Sequence, residues 1–148
     1  MNWAALESSL DPEPFFHVEK PDGRKALTEL HRVQMLLKLV RELAPAVHVH
    51  AIPNAAKRGL KAQRKAKAEG IRAGVFDLCF TWAGGSAAWI EMKGYDAAGR
   101  AGKLSAAQID WGNAHFRMCH DVASFFSPEK ALEWLRGCGA PVKGSVTA

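Results

Sequence analysis

Apolar and polar positions along the chain change period several times, and each change marks an element. After the turn signal Pro21-Asp22-Gly23, apolar residues recur at Leu27, Leu30, Val33, Leu36, Leu37, Val40 and Leu43, the spacing of an amphipathic helix that ends before Pro45. Val47 to Ile52 reads as a strand. A cation-rich segment follows, with the spacing of a helix capped at Gly70. Gly74 to Trp82 and Ser86 to Lys93, rich in β-branched and aromatic residues and separated by Gly84-Gly85, predict a β-hairpin. Ser105-x-x-Gln108 is a capping-box signal that opens a helix to about Met118, with Leu104 and Ile109 placed as a hydrophobic staple. Val122 to Phe126 is a strand, and Ser127-Pro128 starts a last helix that ends near Gly137, with Leu132, Leu135 and Trp134 facing the sheet. The order helix, strand, basic helix, hairpin, helix, strand, helix predicts a single α/β domain with a mixed central sheet flanked by helices. Residues 1–22, with Pro12, Pro14 and Pro21 among the carboxylates Glu7, Asp11, Glu13 and Glu19, read as a loosely docked arm with a short helix over 1–10, and 138–148 as a tail.

Alternation within the hairpin puts Phe76, Leu78, Phe80 and Trp82 on one face and Val75, Asp77, Cys79 and Thr81 on the other. Glu91 and Lys93 share a face opposite Ile90 and Met92. A three-residue loop, Ala83 to Gly85, sets Asp77 directly across from Glu91; a two-residue Gly84-Gly85 loop sets them on opposite faces. Facing carboxylates repel and call for a cation between them. A hard divalent ion with oxygen ligands meets that need, and Lys93 is placed to hold or deprotonate a water or to neutralise a transition-state phosphate. Asp77, Glu91 and Lys93 therefore read as metal-assisted phosphodiester hydrolysis.

Asp77, followed across the hairpin by Glu91-Met92-Lys93, resembles the active-site signature of the PD-(D/E)xK nuclease superfamily. Ile52-Pro53-Asn54, the run from Gly70 to Leu78 and Leu104-Ser105-x-x-Gln108-x-x-Trp111 are similar to its VRR-NUC branch, over roughly residues 25 to 136. Phe76 stands where that family has proline, which is not a ligand. The resemblance implies a restriction-endonuclease-like αβββαβ core within residues 23–137. It further implies a DNA endonuclease using Mg²⁺ or Mn²⁺, with Asp77, Glu91 and the Met92 carbonyl as ligands and Lys93 serving the attacking water. Branched or flapped DNA in replication, repair or recombination would be its substrate, homodimerisation would suit a junction, and a protein partner is a further source of specificity.

Glu29 falls beside the buried stripe of the first helix, so it needs a partner. The resemblance makes it a fourth metal ligand, whereas an ordinary edge glutamate would pair with Lys25 or Arg32. Gln108 likewise has two readings, a cap for its own helix or a catalytic residue at the edge of the site. His48 and His50 share a strand face without an evident third ligand, and Trp111 reads as packing.

Charge narrows the partner. The net charge is +5, yet residues 57–72 hold Lys57, Arg58, Lys61, Arg64, Lys65, Lys67 and Arg72 against Glu69 alone, a local +6. Lys57, Lys61, Arg64 and Lys65 share one helix face. Such a patch, joined by Lys103 in the glycine-rich loop after the hairpin, suits a polyanion and makes phosphate contacts that are independent of base sequence. That loop, 94–103, reads as a mobile lip over the substrate. Three cysteines without Cys-x-x-Cys spacing argue against a disulfide framework or a structural zinc site. Neither a leader pattern nor an apolar run of membrane-spanning length is present, which points to the cytoplasm and to no membrane partner, and the resemblance implies that the cell is bacterial or phage-infected. The same residues would also serve a non-catalytic nucleic-acid-binding module in which Asp77, Glu91 and Lys93 form structural ion pairs.

Overall fold

Five strands build one mixed sheet, in a computed structural model that describes residues 12–53 and 59–146. The strands are β1 (His17–Val18), β2 (His48–Ala51), β3 (Leu78–Trp82), β4 (Ser86–Met92) and β5 (Asp121–Phe125). The helices are α1 (Glu29–Leu43), α2 (Leu60–Ala68), α3 (Ala106–Arg117) and α4 (Pro128–Gly137). The proposed helix over 1–10, together with Lys57 and Arg58, lies outside the described residues. Strand order is β1-β5-β4-β3-β2, with β2–β3–β4 antiparallel and β4–β5 and β5–β1 parallel. The parallel β4–β5 pair needs a crossover, and α3 provides it.

Alternation sorts the side chains of the sheet into two apolar clusters. Leu78, Phe80, Ile90, Met92, Ala123 and Phe125 face α1 and α4, where Leu36, Val40, Leu132 and Leu135 close the main core and Trp134 packs at its margin. On the opposite face Val122 and Trp89 meet Phe16, Phe76, Leu104 and Trp111 under α3. Phe76 is thus on the α3 side and not, as strand alternation predicted, with Leu78 and Phe80. β3 begins only at Leu78, and the irregular backbone of 74–77 turns Phe76 across to Phe16 and Trp111.

The arm is built into the sheet from Phe16 onward. Phe16 is buried against α3 at Gly112, where a Cβ would come within 2.4 Å of its ring, and β1 pairs with β5. Just beyond, Asp22 is tied to Arg32, whose guanidinium is fully buried. Its five N–H donors go to both Asp22 carboxylate oxygens and to the carbonyls of Arg24, Leu27 and Phe126, at 2.6–3.1 Å. This complete pairing makes the buried charge tolerable and holds Asp22 down to about 2, the guanidinium bonds outweighing the effect of burial. The tail also docks: Ala140 is in the main core, with Val142 and Val146 against it.

Candidate active site

The hairpin register decides whether the two carboxylates meet. Trp82 pairs with Ser86 and Leu78 with Ile90, so the three-residue loop is the one adopted. Asp77, one step before β3, falls opposite Glu91, and its backbone N–H donates to Glu91 Oε2 at 3.0 Å. Glu29 arrives from the other face of the sheet, at the first position of α1. Only at the end of a sheet can groups from its two faces converge, and the site lies there, where β3 starts and β4 stops. Glu29, Asp77 and Glu91 each offer a carboxylate oxygen, all within 4.8 Å of one another.

Two glycines let these pieces approach. A Cβ on Gly94, just past β4, would lie 2.2 Å from the Glu29 backbone N and 2.5 Å from the Thr28 carbonyl carbon. The first turn of α1 therefore rests on bare backbone. A Cβ on Gly74 would lie 2.3 Å from the Ala107 carbonyl oxygen, and its φ of +87° favours glycine as well. This contact seats the 74–77 segment against the first turn of α3. A Thr28–His31 capping box orients the start of α1, with His31 in the place where Glu or Gln is usual. Neither the Gly94 contact nor the histidine cap carries a sequence signal.

Glu91 is 1% exposed and Lys93 8%. Lys93 Nζ donates to Glu91 Oε1 at 3.0 Å and to Gln108 Oε1 at 3.2 Å, while Gln108 Nε2 donates to Glu91 Oε1 at 2.6 Å. Gln108 also accepts from Ser105 N at 2.9 Å, and its own N–H donates to Ser105 Oγ. The two readings of Gln108 are therefore joined: one side chain caps α3 and braces the Glu91–Lys93 pair. Burial pushes Glu91 up to about 7, with the Asp77 charge adding to the rise and Lys93 opposing it. A carboxylate raised chiefly by burial is one that a nearby cation would return to its charged form.

Glu29 and Asp77 open on a cleft of about 750 Å³, lined also by Val33, Ile52, Gly94, Tyr95, Arg100 and Gly102, with Glu91 buried behind them. The 94–103 lip, expected to be mobile, is a hydrogen-bonded hairpin: Tyr95 and Ala101 form a bridge, and Asp96 binds the N–H groups of Ala98 and Arg100 and the Arg100 guanidinium. The basic segment is anchored at both ends beside the cleft. The chain leaves at Ile52, whose N–H donates to the Asp77 carbonyl at 2.8 Å, and returns through Gly74. Lys61, Arg64 and Lys65 on α2 and Arg72 after it are exposed, as is Lys103 on the lip. Lys65 shares its charge with Glu69 across an exposed 3.8 Å gap. Met92, whose carbonyl is the expected ligand, buries its side chain in the core. His48 and His50 are exposed on β2 and belong to no metal-ligating group of three among the described residues. Arg32, suggested as a partner for Glu29, is committed to Asp22. No helix among the described residues is long and apolar enough to cross a membrane.

Comparison with protein-family models, with curated proteins and with solved structures gives no match to this chain.

Proposed function

We propose that this protein is a metal-dependent nuclease that hydrolyses DNA phosphodiester bonds, with branched or flapped DNA as its substrate class. The observation that carries the reading is the convergence of Glu29, Asp77 and Glu91 within 4.8 Å beside a buried lysine. Three carboxylates make a hard, oxygen-only donor set that fits Mg²⁺ or Mn²⁺, with the Met92 carbonyl as a further oxygen. Such an ion, when bound, lowers the pKa of a water and offsets charge on the phosphoryl oxygens.

The remaining chemistry belongs to the chain. Asp77, Glu91 and Glu29 hold the ion. Lys93, fixed through Glu91 and Gln108, presents its ammonium to the attacking water and to the charge that builds on phosphorus. Gln108 keeps Lys93 and Glu91 in register. Exposed cations on α2 hold the flanking backbone. Water loses one proton to solvent as it adds to phosphorus and the P–O3′ bond breaks, leaving a 5′-phosphate and a 3′-oxyanion that takes up a proton from solvent to become the 3′-hydroxyl. The order α1-β2-β3-β4-α3-β5 supports a restriction-endonuclease-like core, with α2 inserted between β2 and β3.

A second reading draws on the same contacts. The Glu91–Lys93–Gln108 network is satisfied within itself, as a structural ion pair in a DNA-binding module would be. Cleavage of labelled single-stranded, duplex, flapped and four-way DNA with Mg²⁺ or Mn²⁺ separates the two. The nuclease cuts, and Asp77→Asn abolishes cutting while DNA is still bound. Binding that survives chelation, with no cut on any DNA form, supports the module; cleavage that appears only with a co-purified protein assigns it to a partner-dependent subunit.

A further inference from the structure

A second cleft lies on the other side of the lip. It has a volume of about 370 Å³ and is walled by the arm at Val18, by Leu104 just ahead of α3 and Ile109 on it, and by Phe126. It shares Ala101 and Gly102 with the carboxylate cleft, so the lip is a partition between the two. Gly102 lies on the Lys93 stem, where a Cβ would sit 3.5 Å from Lys93 Cδ. Lys93 lines this second cleft, together with Lys20 from the arm and Lys103 from the lip, both exposed. The one carboxylate on its wall, Glu19, is engaged elsewhere: Oε2 accepts from the N–H groups of Phe126 and Ser127, and Oε1 faces Lys130 at 3.8 Å. The cleft thus offers apolar walls and the exposed ammonium groups of Lys20 and Lys103, the Lys93 ammonium being held by Glu91 and Gln108, and the one acid among its described lining residues is already paired.

We propose that this cleft is a subsite for one unpaired nucleotide next to the scissile phosphate. Apolar walls accept the faces of a base and sugar, and Lys20 and Lys103 take the adjoining phosphate. Its volume is at the lower end of the roughly 300–1,000 Å³ of clefts that take one small ligand. A base pair with both backbones does not fit it. The substrate must therefore present an unpaired nucleotide at the cut, and continuous duplex is excluded. This inference rests on the nuclease reading for the position of the cut, but not for the binding itself.

The test measures binding in EDTA, where nothing is cut, by anisotropy of a labelled two-stranded duplex with blunt ends or with three unpaired thymidines at one end. The extended form binds roughly tenfold tighter, the scale of a base contact plus a phosphate contact. Lys20→Glu and, independently, Ile109→Trp reduce that advantage to less than about threefold, and both leave blunt-duplex affinity, which α2 serves, unchanged. Lys20 is exposed, so its variant keeps the test valid if Ile109→Trp fails to fold. Equal affinity for the two DNA forms, or an advantage that survives Lys20→Glu, overturns the subsite. An advantage that behaves as expected in a protein that never cuts DNA upholds the subsite and overturns the nuclease; cutting of blunt, fully paired duplex as fast as extended DNA does the reverse.

Discussion

Replacing Gly94 by alanine places one methyl group against the first turn of α1. The new Cβ would sit 2.2 Å from Glu29 N, 2.5 Å from Thr28 C and 2.8 Å from Glu29 Cα, against an ordinary contact of 3.4–4 Å. All three atoms are backbone, so no side chain can swing away, and the helix start must recede by about 1.2 Å from the Glu29 contact alone. Overpacking of this kind costs typically 1–3 kcal/mol, or about 2–12 °C in Tm for a domain of this size. The same displacement carries Glu29 away from Asp77 and Glu91, and a misplacement of about 1 Å in a catalytic array can cost on the order of a hundredfold in rate. Thermal unfolding, Mn²⁺ titration and DNA cleavage read the three consequences on one sample. Gly137→Ala is the control: at the end of α4, with nothing within 4 Å of its Cβ, it should be neutral or gain up to about 1 kcal/mol. A Gly94→Ala protein with wild-type Tm and Mn²⁺ affinity would refute the idea that bare backbone at Gly94 positions Glu29.

Arg32→Met leaves the Asp22 carboxylate and three carbonyls without their donor, so it should cost about 3–5 kcal/mol and lower Tm by roughly 6–20 °C; a loss under about 1 kcal/mol in urea unfolding would contradict the network. Asp22 is lowered from 3.8 to about 2, so its contribution is complete above pH 3.8 and is lost as pH falls toward 2. That contribution is about 1–2 kcal/mol after allowance for its remaining solvent contact, and acid titration of Asp22→Asn should lack it. Lys93→Ala should reduce cleavage at least about a hundredfold while DNA is still bound, and full activity in that variant would remove Lys93 from the chemistry. Lys61→Glu with Arg64→Glu should weaken binding alike on all sequences and flatten its salt dependence by about two ions; an unchanged slope would place the DNA elsewhere.

The elements of the fold are legible in the sequence because their signals are local. Ser105-x-x-Gln108 and Ser127-Pro128 fix the starts of α3 and α4, and the Gly-Gly turn with its flanking aromatics fixes the hairpin. Pairing of Asp77 with Glu91 follows from that register. What the sequence conceals is long-range. A two-residue β1 is too short to show a period, and its partner β5 lies about a hundred residues away. Arg32 reads as one more polar position beside an apolar stripe, and only the folded chain shows Asp22 and three carbonyls around it. Phe76 obeys strand alternation on paper, but 74–77 is not strand. The closeness of Glu29 to the hairpin depends on Gly94, whose missing side chain leaves no trace in a hydrophobic pattern.

Calorimetric titration of Mn²⁺ into the full chain at pH 8, where Glu91 is ionised, tests most directly whether Glu29, Asp77 and Glu91 form one cation site. Wild type should bind one ion per chain, and Asp77→Asn and Glu29→Gln should each weaken it at least about tenfold without unfolding the protein. Absence of a binding isotherm in the wild-type protein, or an affinity indifferent to both substitutions, would contradict the site.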